Sequence, residues 1–349
     1  MKTYQRIVII SEKRTDALGI YQKEIAKSFR SMGTDVKELV FNNSPFHNKF
    51  LNFIVEVINS LRSLMMINSG ENVLYIDPLS FLAYIGRFIS NKKFVVFHHY
   101  EQDPFYYKLF PFSSYSSTLN SFDGIICDSK FSLAQIKEIG VDVSKCEVIY
   151  CGIDREVFKH RNKNYYSGQY VLSVGSEEPR KNMQIILKSF QMLKKSFPKL
   201  KLIKIGKANP ANRKRTMSYV NEYRLEDSVV FTNFVSEYEL SVYYSNSRLL
   251  LFPSLLEGFG LPVVEAMACG CPVVTSDLDP MKELAGRVCV LVDPQDPEEI
   301  YNACSRIISD EDYRQSLVKK GLERSKRFDW DRTARDINHF LAIRSRLGV

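Results

Sequence analysis

The chain has 349 residues, 45% of them hydrophobic and 25% charged, which is enough for two ordinary globular domains and excludes a disordered protein. Its formal net charge of +8 is divided evenly between the two halves, without a basic tail or a basic domain. We therefore expect no nucleic-acid partner. The positive charge is compatible with anionic ligands or with an anionic membrane surface.

Cysteine usage and hydropathy indicate the compartment. The seven cysteines form no CxxC pair, so we expect free thiols in a reducing environment and no zinc site. The first apolar run is too short for a signal peptide, and no stretch approaches about 18 uncharged apolar residues. The sequence thus predicts a cytoplasmic protein without a transmembrane helix.

The first half alternates short apolar runs with segments of helical periodicity, which is typical of a parallel α/β sheet. Strands are predicted at residues 6–11, 73–76, 93–97, 124–127 and 146–150, and helices at 20–32 and 131–139. Asp128 and Ser129 precede the second helix and predict its N-cap. Gly19, directly before the first helix, is a candidate for close approach of the backbone to a ligand, with an ordinary turn as the alternative.

Residues 46–67 are strongly apolar with few charges. Their apolar side chains recur at helical spacing: Phe50, Ile54, Val57, Ile58, Leu61 and Met65. The pattern favours a buried helix. The alternative is an amphipathic helix on a membrane surface, which the small number of Lys and Arg residues disfavours.

The strand at 93–97 ends in His98 and His99. In an open α/β sheet, ligands bind beyond the carboxyl ends of the strands. An imidazole there can exchange protons or hydrogen bonds near neutral pH, so His98 is a candidate site residue. His99 is more typical of a packing or surface position.

After residue 155 the chain becomes polar and loses periodicity, and we place the interdomain linker at 155–167. The predicted organisation is an N-terminal domain of residues 1–160, a C-terminal domain of residues 161–327 and a final helical segment of residues 328–349. In the second domain, strands are predicted at 170–175, 200–206, 229–231, 249–252 and 272–275, and helices at 183–197, 237–246, 297–308 and 312–327.

Arg180 and Lys181 precede the helix at 183–197. Two adjacent cations at a helix start oppose the helix dipole, and a bound anion would relieve the conflict. The pair therefore predicts a diphosphate site, with solvated surface charges as the alternative. The cluster Arg213, Lys214 and Arg215 is interpreted as a solvated helix face.

Residues 249–277 predict a strand, a glycine loop, a short helix with Pro262 at its first position, and a second strand. The glycines and the helix start suit a phosphate. Two carboxylates, Glu257 and Glu265, bracket the loop and would accept hydrogen bonds from hydroxyl groups. A nucleotide-sugar has both phosphates and hydroxyls. The alternative is that Glu265 complements the helix dipole and Glu257 is solvated.

The run E-G-F-G-L-P-V-V-E-A-M-A-C-G-C-P-V-V, residues 257–274, resembles the donor-site signature of the retaining glycosyltransferases of family 4. The resemblance implies the GT-B fold, with two Rossmann-like doubly wound α/β domains facing each other across a cleft. It implies that Glu257 faces the donor sugar and that Glu265 holds the ribose hydroxyls. The backbone that meets sugar and phosphate is then that of Gly258, Phe259, Gly260 and Leu261.

The same resemblance assigns Arg180 and Lys181 to the donor diphosphate. It places His98 near the donor sugar and acceptor, and the backbone at Gly19 near the donor phosphate or the acceptor. Ser176 departs from family members that carry a further Arg directly after the glycine, which leaves the diphosphate site one cation weaker.

We therefore expect a retaining, metal-independent glycosyltransferase without a cofactor. It would move a sugar from a nucleotide-diphosphate donor to a glycan or lipid-linked acceptor in cell-envelope polysaccharide or glycolipid synthesis. Peripheral contact with the inner face of the cell membrane is an alternative to a purely cytoplasmic location. A non-catalytic nucleotide-sugar-binding subunit and a GT-B sugar-nucleotide epimerase remain alternative functions.

Overall fold

The computed structural model describes residues 6–12, 17–41, 58–59, 62, 65–69, 71–76, 91–98, 112–163, 165–166 and 168–346. The chain divides into two compact units. The first comprises Met1–Gly152 and Asp329–Val349, and the second comprises Ile153–Phe328. The second unit thus begins eight residues before the boundary that the sequence analysis places after residue 160.

The first unit contains a parallel sheet whose described strands lie in the order β2-β1-β3-β4-β5-β6. The strands are β1 (Arg6–Glu12), β2 (Asp35–Phe41), β3 (Asn72–Tyr75), β4 (Lys93–Phe97), β5 (Gly124–Cys127) and β6 (Cys146–Val148). Its first helices are α1 (Ala17–Ser31), α2 (Phe112–Asn120) and α3 (Lys130–Glu138). Strand β2 was not predicted, because three of its seven residues are charged.

The core of the first unit lies along its inner strands. Strands β3 and β5 are buried at every residue, as expected where helices cover both faces of a parallel sheet. Apolar side chains from the strands and helices form one cluster, which includes Val8, Ile10, Val73, Tyr75, Val95, Phe97, Leu119, Phe122, Ile125 and Ile136. This packing fixes the carboxyl ends of β4 and β5, where the candidate His98 lies.

The second unit contains another parallel sheet, in the order β12-β11-β10-β7-β8-β9. The strands are β7 (Tyr170–Val174), β8 (Lys201–Ile205), β9 (Val229–Thr232), β10 (Leu249–Phe252), β11 (Val273–Ser276) and β12 (Val290–Val292). The helices are α4 (Met183–Ser196), α5 (Pro210–Glu222), α6 (Glu237–Asn246), α7 (Leu261–Ala268), α8 (Met281–Ala285), α9 (Pro297–Ser309) and α10 (Glu311–Ser325). This is the doubly wound order of a Rossmann domain.

Strand order in the second unit identifies a switch point between β7 and β10. These two strands are neighbours in space, and the chain runs outward from them in opposite directions. Ligands of doubly wound sheets bind at such a point, beyond the carboxyl ends of the strands. The loops that follow β7 and β10 carry Arg180, Lys181 and Glu257.

The last helix, α11 (Trp330–Arg346), belongs to the first unit. The hydroxyl of Thr333 donates a 2.8 Å hydrogen bond to the carbonyl of Tyr150. A Cβ atom on Gly152 would overlap the backbone of Trp330 and lie 2.6 Å from the carbonyl carbon of Asp329. Only a glycine at position 152 therefore permits α11 to approach the segment that follows β6 this closely.

The apolar segment 46–67 lies mostly outside the described residues. Two side chains of its predicted buried stripe are described, and both are exposed: Ile58 by 44% and Met65 by 80%. The prediction of burial is therefore wrong for these two positions. Within the part of the chain that the structure describes, we find no helix of sufficient length and apolarity to cross a membrane.

Candidate active site

The loop after β7 carries the two predicted cations in a single 3₁₀ turn, Pro179–Lys181. Asn182 follows in the left-handed conformation, with φ of 61°, and α4 begins at Met183. The cations thus precede α4, as predicted, and lie in a separate short turn. The amide of Asn182 donates to the carbonyls of Pro253 and Pro294, at 3.0 and 2.6 Å. These bonds tie the cation turn to the loops after β10 and β12.

Glu257 receives both cations. Lys181 Nζ lies 2.5 Å from Glu257 Oε1, and Arg180 Nη1 lies 3.3 Å from Glu257 Oε2. The Lys181 and Glu257 side chains are only 12% and 9% exposed. Burial lowers the pKa of Lys181, and the neighbouring Glu257 carboxylate opposes that effect. The alternative of solvated charges is wrong for Lys181 and Glu257, because the fold buries both.

The sequence analysis predicted that the two cations bind an anionic ligand. In this structure the carboxylate of Glu257 binds them instead. Arg180 also pairs with Glu178, with 2.9 Å between Nε and Oε2. Two cations and two carboxylates are compensated without a ligand. A diphosphate would have to exchange with Glu257 for these cations, which releases Glu257 to accept hydrogen bonds from sugar hydroxyls.

The glycine loop leads into α7, which begins at Leu261, one residue earlier than predicted. Gly260 has φ of +103°, and a Cβ atom there would overlap Met281 Cε and lie 3.2 Å from Leu284 Cδ1. The Phe259 ring is buried edge-on against Phe328, with 5.9 Å between ring centroids. This packing leaves the backbone of Phe259, and not its ring, for the predicted contact with a ligand.

Glu265 lies inside α7 and is buried. The Tyr244 hydroxyl donates a 3.0 Å hydrogen bond to Glu265 Oε2. Burial raises the pKa of Glu265 to about 7, although the bond from Tyr244 acts in the opposite direction. The two carboxylates of the signature are thus in different states: Glu257 is paired with cations, whereas Glu265 is held by a neutral hydroxyl.

Arg213 was predicted to lie on a solvated face, and this is wrong. Its Nε lies 2.9 and 3.1 Å from the two carboxylate oxygens of Glu177, which is buried. Its guanidinium also stacks over the Phe231 ring, at 4.3 Å from the centroid. Lys214 and Arg215 are exposed, as predicted. The first residue of the cluster turns inward because Glu177, on the loop after β7, provides a buried partner.

Lys204 is the residue that sequence reasoning missed. It lies on β8, is 1% exposed, and donates to the carbonyls of Gly175 and Ile205 at 2.5 and 3.1 Å. Burial lowers its pKa to about 8. The available signal was a single charge inside the apolar run Leu202–Ile205, since a buried strand rarely contains an unpaired lysine.

The candidate residues of the first unit lie at the ends of β4 and α1. His98 Nδ1 lies 3.0 Å from Asp128 Oδ2, and the Tyr21 ring packs edge-on at 5.1 Å from the imidazole centroid. Asp128 Oδ1 accepts hydrogen bonds from Ser129 and Ser132 at 3.2 and 2.6 Å. Because a carboxylate only accepts, Nδ1 carries the proton of this hydrogen bond. Nε2 is buried and has no hydrogen-bond partner among the described residues.

The remaining first-unit predictions differ in outcome. Ser129 is the N-cap of α3 and accepts from the backbone of Ser132, whereas Asp128 orients His98 instead. Gly19 lies in the first turn of α1, which begins at Ala17, so it does not precede the helix as predicted. His99 lies outside the described residues.

One group in the described part of the chain offers a three-atom metal set, namely His98, Asp128 and Cys151, with ligand atoms within 4.8 Å of one another. Burial raises the pKa of the Cys151 thiol, so the thiolate that a metal requires is disfavoured as the residues stand. Both oxygens of Asp128 already accept hydrogen bonds. The donor set therefore fits a hydrogen-bonded imidazole better than a metal centre. All seven cysteines are free thiols.

The chain is similar to known glycosyltransferases in sequence and in fold. Residues 154–324 fit the family model described as "Glycosyl transferases group 1". The chain is 30% identical over 176 residues to the serotype-specific mannosyltransferase WbdA of Escherichia coli, which is 49% of this chain and 22% of that protein. It thus spans about a fifth of the length of that curated relative.

A second relative aligns over a larger share of both chains. It is the N-acetylgalactosamine-N,N'-diacetylbacillosaminyl-diphospho-undecaprenol 4-alpha-N-acetylgalactosaminyltransferase of Campylobacter jejuni, 24% identical over 284 residues, which are 77% of this chain and 75% of that protein. The structure of Anabaena HepE in complex with UDP-glucose aligns with a TM-score of 0.78 at 18% identity, over 97% of this chain and 100% of that chain. The two parallel sheets are thus those of the GT-B fold. The matched residues 154–324 all lie within the second unit, so it is this unit that matches the family model of the group 1 glycosyltransferases.

Proposed function

We propose that the chain is a retaining glycosyltransferase that takes a sugar from a nucleotide-diphosphate donor and transfers it to a hydroxyl of a glycan or lipid-linked acceptor. The observation that carries the proposal is the convergence of Arg180 and Lys181 on Glu257 at the switch point of the second unit. Donor binding exchanges this buried ion pair for contacts of the cations with the diphosphate and of Glu257 with the sugar.

The chemistry requires stabilisation of the leaving diphosphate. The bond between the sugar C1 and the phosphate oxygen breaks, and a bond from C1 to the acceptor oxygen forms on the same face. The acceptor proton passes to the departing phosphate. Arg180, Lys181 and the N-terminal N–H groups of α7 stabilise the negative charge that develops there, which is electrostatic catalysis without a metal.

Two further side chains position the substrates. Ionised Glu265 accepts hydrogen bonds from the ribose hydroxyls, in addition to the bond from Tyr244. His98, oriented by Asp128, presents Nε2 to the donor sugar or the acceptor hydroxyl. Phe259 contributes only its backbone because its ring is packed against Phe328.

The names of the relatives support the substrate classes. The HepE structure contains UDP-glucose, the Campylobacter jejuni relative acts on a diphospho-undecaprenol acceptor, and WbdA is a serotype-specific mannosyltransferase. We therefore extend the proposal to cell-envelope polysaccharide or glycolipid synthesis at the inner face of the membrane. The net charge of +8 is favourable for contact with anionic lipids.

The experiment is a binding and turnover assay on the purified chain in EDTA, with UDP, GDP, ADP, TDP and CMP and the corresponding sugar nucleotides. Saturation at about 100 times Kd adds roughly 2.7 kcal/mol of stability, which shifts Tm by several degrees. We expect one base to shift Tm, and the same sugar nucleotide to be consumed only with an acceptor.

Each other result contradicts the proposal. Consumption without an acceptor would indicate an epimerase, and binding without turnover would indicate a non-catalytic subunit. The variant Lys181→Met should lose turnover, whereas Lys188→Met, an exposed lysine on α4, should retain it. Equal turnover of the two variants would remove Lys181 from the mechanism.

A further inference from the structure

Lys204 is an ammonium group inside the sheet of the second unit. Its side chain is 1% exposed, and its two hydrogen-bond acceptors in the described structure are backbone carbonyls, of Gly175 and of Ile205. No carboxylate lies within ion-pair distance of Lys204 among the described residues. An ammonium has three N–H donors, so one donor has no acceptor in this set.

Stability alone does not account for a lysine at this position. Removing an ammonium from water costs several kcal/mol, and well-packed hydrophobic residues in place of buried charges are often neutral or stabilising. The neighbours Leu202, Ile203 and Ile205 on β8 are all buried and apolar, so a methionine would fit the environment better. A function for the charge would explain its retention.

The charge lies at the candidate diphosphate site. The carbonyl of Gly175 accepts a hydrogen bond from Lys204. The Lys181 side chain packs against the same glycine, since an ideal Cβ on Gly175 would lie 3.4 Å from Lys181 Cε and 3.7 Å from Lys181 Nζ. The two ammonium groups thus flank one residue and repel each other. Burial is the main cause of the lowered pKa of Lys204; Glu177 opposes it, and the repulsion from Lys181 adds to it. Like charges are placed together where an anion is to be bound.

Charge accounting around Gly175 favours an anion. Glu177 accepts hydrogen bonds from Arg213 and also attracts Lys204. Glu257 and Glu178 are the carboxylates paired with Lys181 and Arg180, so three carboxylates face four cations. Lys204 is therefore a cation in excess of the local carboxylates, next to Ser176, which has no charge of its own. A phosphate oxygen would supply both the missing acceptor and the missing negative charge.

We propose that Lys204 is the third cation of the diphosphate site and binds the donor phosphates from the side of Gly175, in place of a charged side chain at position 176. The inference rests on the proposed function, since it requires that a nucleoside diphosphate binds at Arg180 and Lys181. It adds a specificity determinant: Lys204 distinguishes a diphosphate from a nucleoside without phosphates.

The test compares Lys204→Met with a matched control, Lys201→Met, which removes a lysine of the same strand whose ammonium donates to the carbonyl of Asp227. Affinities are measured by calorimetry for the nucleoside diphosphate that binds the wild type and for its parent nucleoside. We expect Lys204→Met to weaken the diphosphate about 10- to 100-fold and to leave the nucleoside unchanged. Lys201→Met should change neither affinity.

A second comparison separates charge from folding. Adding Ser176→Arg to Lys204→Met returns a cation to the same place and should recover most of the diphosphate affinity, while the Tm of Lys204→Met is equal to or above that of the wild type. Unchanged diphosphate affinity in Lys204→Met, or equal losses for diphosphate and nucleoside, overturns the proposal. So does failure of Ser176→Arg to restore affinity in a folded double variant.

The wild type provides a test without substitution. The charged groups facing Lys204 are Glu177 on the loop after β7, Lys181 on the 3₁₀ turn and Arg213 on α5. Phosphate binding favours the charged ammonium, so diphosphate affinity should fall as pH rises above about 8, by up to about 10-fold per pH unit. This decline should be shallower in Lys204→Met. If wild-type and variant profiles coincide, Lys204 is not a phosphate ligand; if no diphosphate binds the wild type at any pH, the proposed function itself fails.

Discussion

Replacing Glu257 with glutamine tests whether the buried ion pair at the switch point has the energetic role that its geometry indicates. The substitution preserves shape and removes one negative charge. Lys181 and Arg180 then lose the carboxylate to which they are held at 2.5 and 3.3 Å, and they remain close to each other as like charges. We expect the second unit to be destabilised.

The magnitude follows from burial. Lys181 and Glu257 are 12% and 9% exposed, so solvent does not screen the pair effectively. Breaking a buried pair by removing one partner typically costs 3–5 kcal/mol, and because Arg180 keeps its bond to Glu178 we expect the lower end, about 3 kcal/mol. For a unit of this size the change corresponds to a fall of about 6–12 °C in Tm.

The assay is urea-induced unfolding of the wild type, Glu257→Gln and a control variant, Glu178→Gln. The control removes the same chemical group from the same Arg180, but Glu178 is 47% exposed, so its loss should cost less than about 1 kcal/mol. Equal destabilisation by the two variants would refute the argument from burial. Glu257→Gln should also bind nucleoside diphosphate more tightly than the wild type does, because no carboxylate competes for the cations. Weaker binding would refute the proposed exchange.

Three further predictions concern other parts of the molecule. Burial raises the pKa of Glu265 from 4.5 to about 7, so its contribution to stability is complete below pH 4.5 and is lost as pH rises through 7. In urea unfolding, the free energy of unfolding of Glu265→Gln relative to that of the wild type should increase by about 3 kcal/mol from pH 5 to pH 8. If Glu265 ionises normally, this difference should not change with pH. Gly152→Ala should lower the free energy of unfolding by about 3 kcal/mol, because the new methyl group overlaps Trp330. In the same urea titration the control Gly33→Ala, with open space around it, should cost about 1 kcal/mol. Equal costs would contradict the packing of α11. Asp128→Asn should reduce turnover by about 10-fold or more, because an amide can donate to the imidazole as well as accept from it and so no longer fixes its tautomer. Calorimetry should show unchanged affinity for nucleoside diphosphate. Unchanged turnover would remove His98 from the mechanism.

Local sequence patterns predicted most elements because the physical signal is local. Helix α6 begins and ends at the predicted residues, since Ser236 and Glu239 form a capping box at its start. Strands β4, β5 and β10 also match, because both faces of each strand are apolar. Strand β2 escaped prediction because its charged residues interrupt the apolar pattern at the edge of the described sheet.

Local sequence patterns likewise predicted part of the candidate site. The sequence was sufficient to predict that Arg180, Lys181 and Glu257 lie on loops and that Glu265 lies on a helix, because glycine spacing and helix-start chemistry are local properties. It determined the α/β class through the alternation of apolar runs and helical periodicity. It also supplied the family signature at residues 257–274.

Which charged side chains pair with one another depends on the three-dimensional fold. Glu257 is 76 residues from Lys181 in the chain, Arg213 is 36 residues from Glu177, and His98 is 30 residues from Asp128. Strand order places these residues at shared sheet ends, and no local pattern encodes that order. The fold also buried Lys204 and Glu265, and the resulting change of pKa arises from loss of water, which is a property of the packed unit and not of the chain segment.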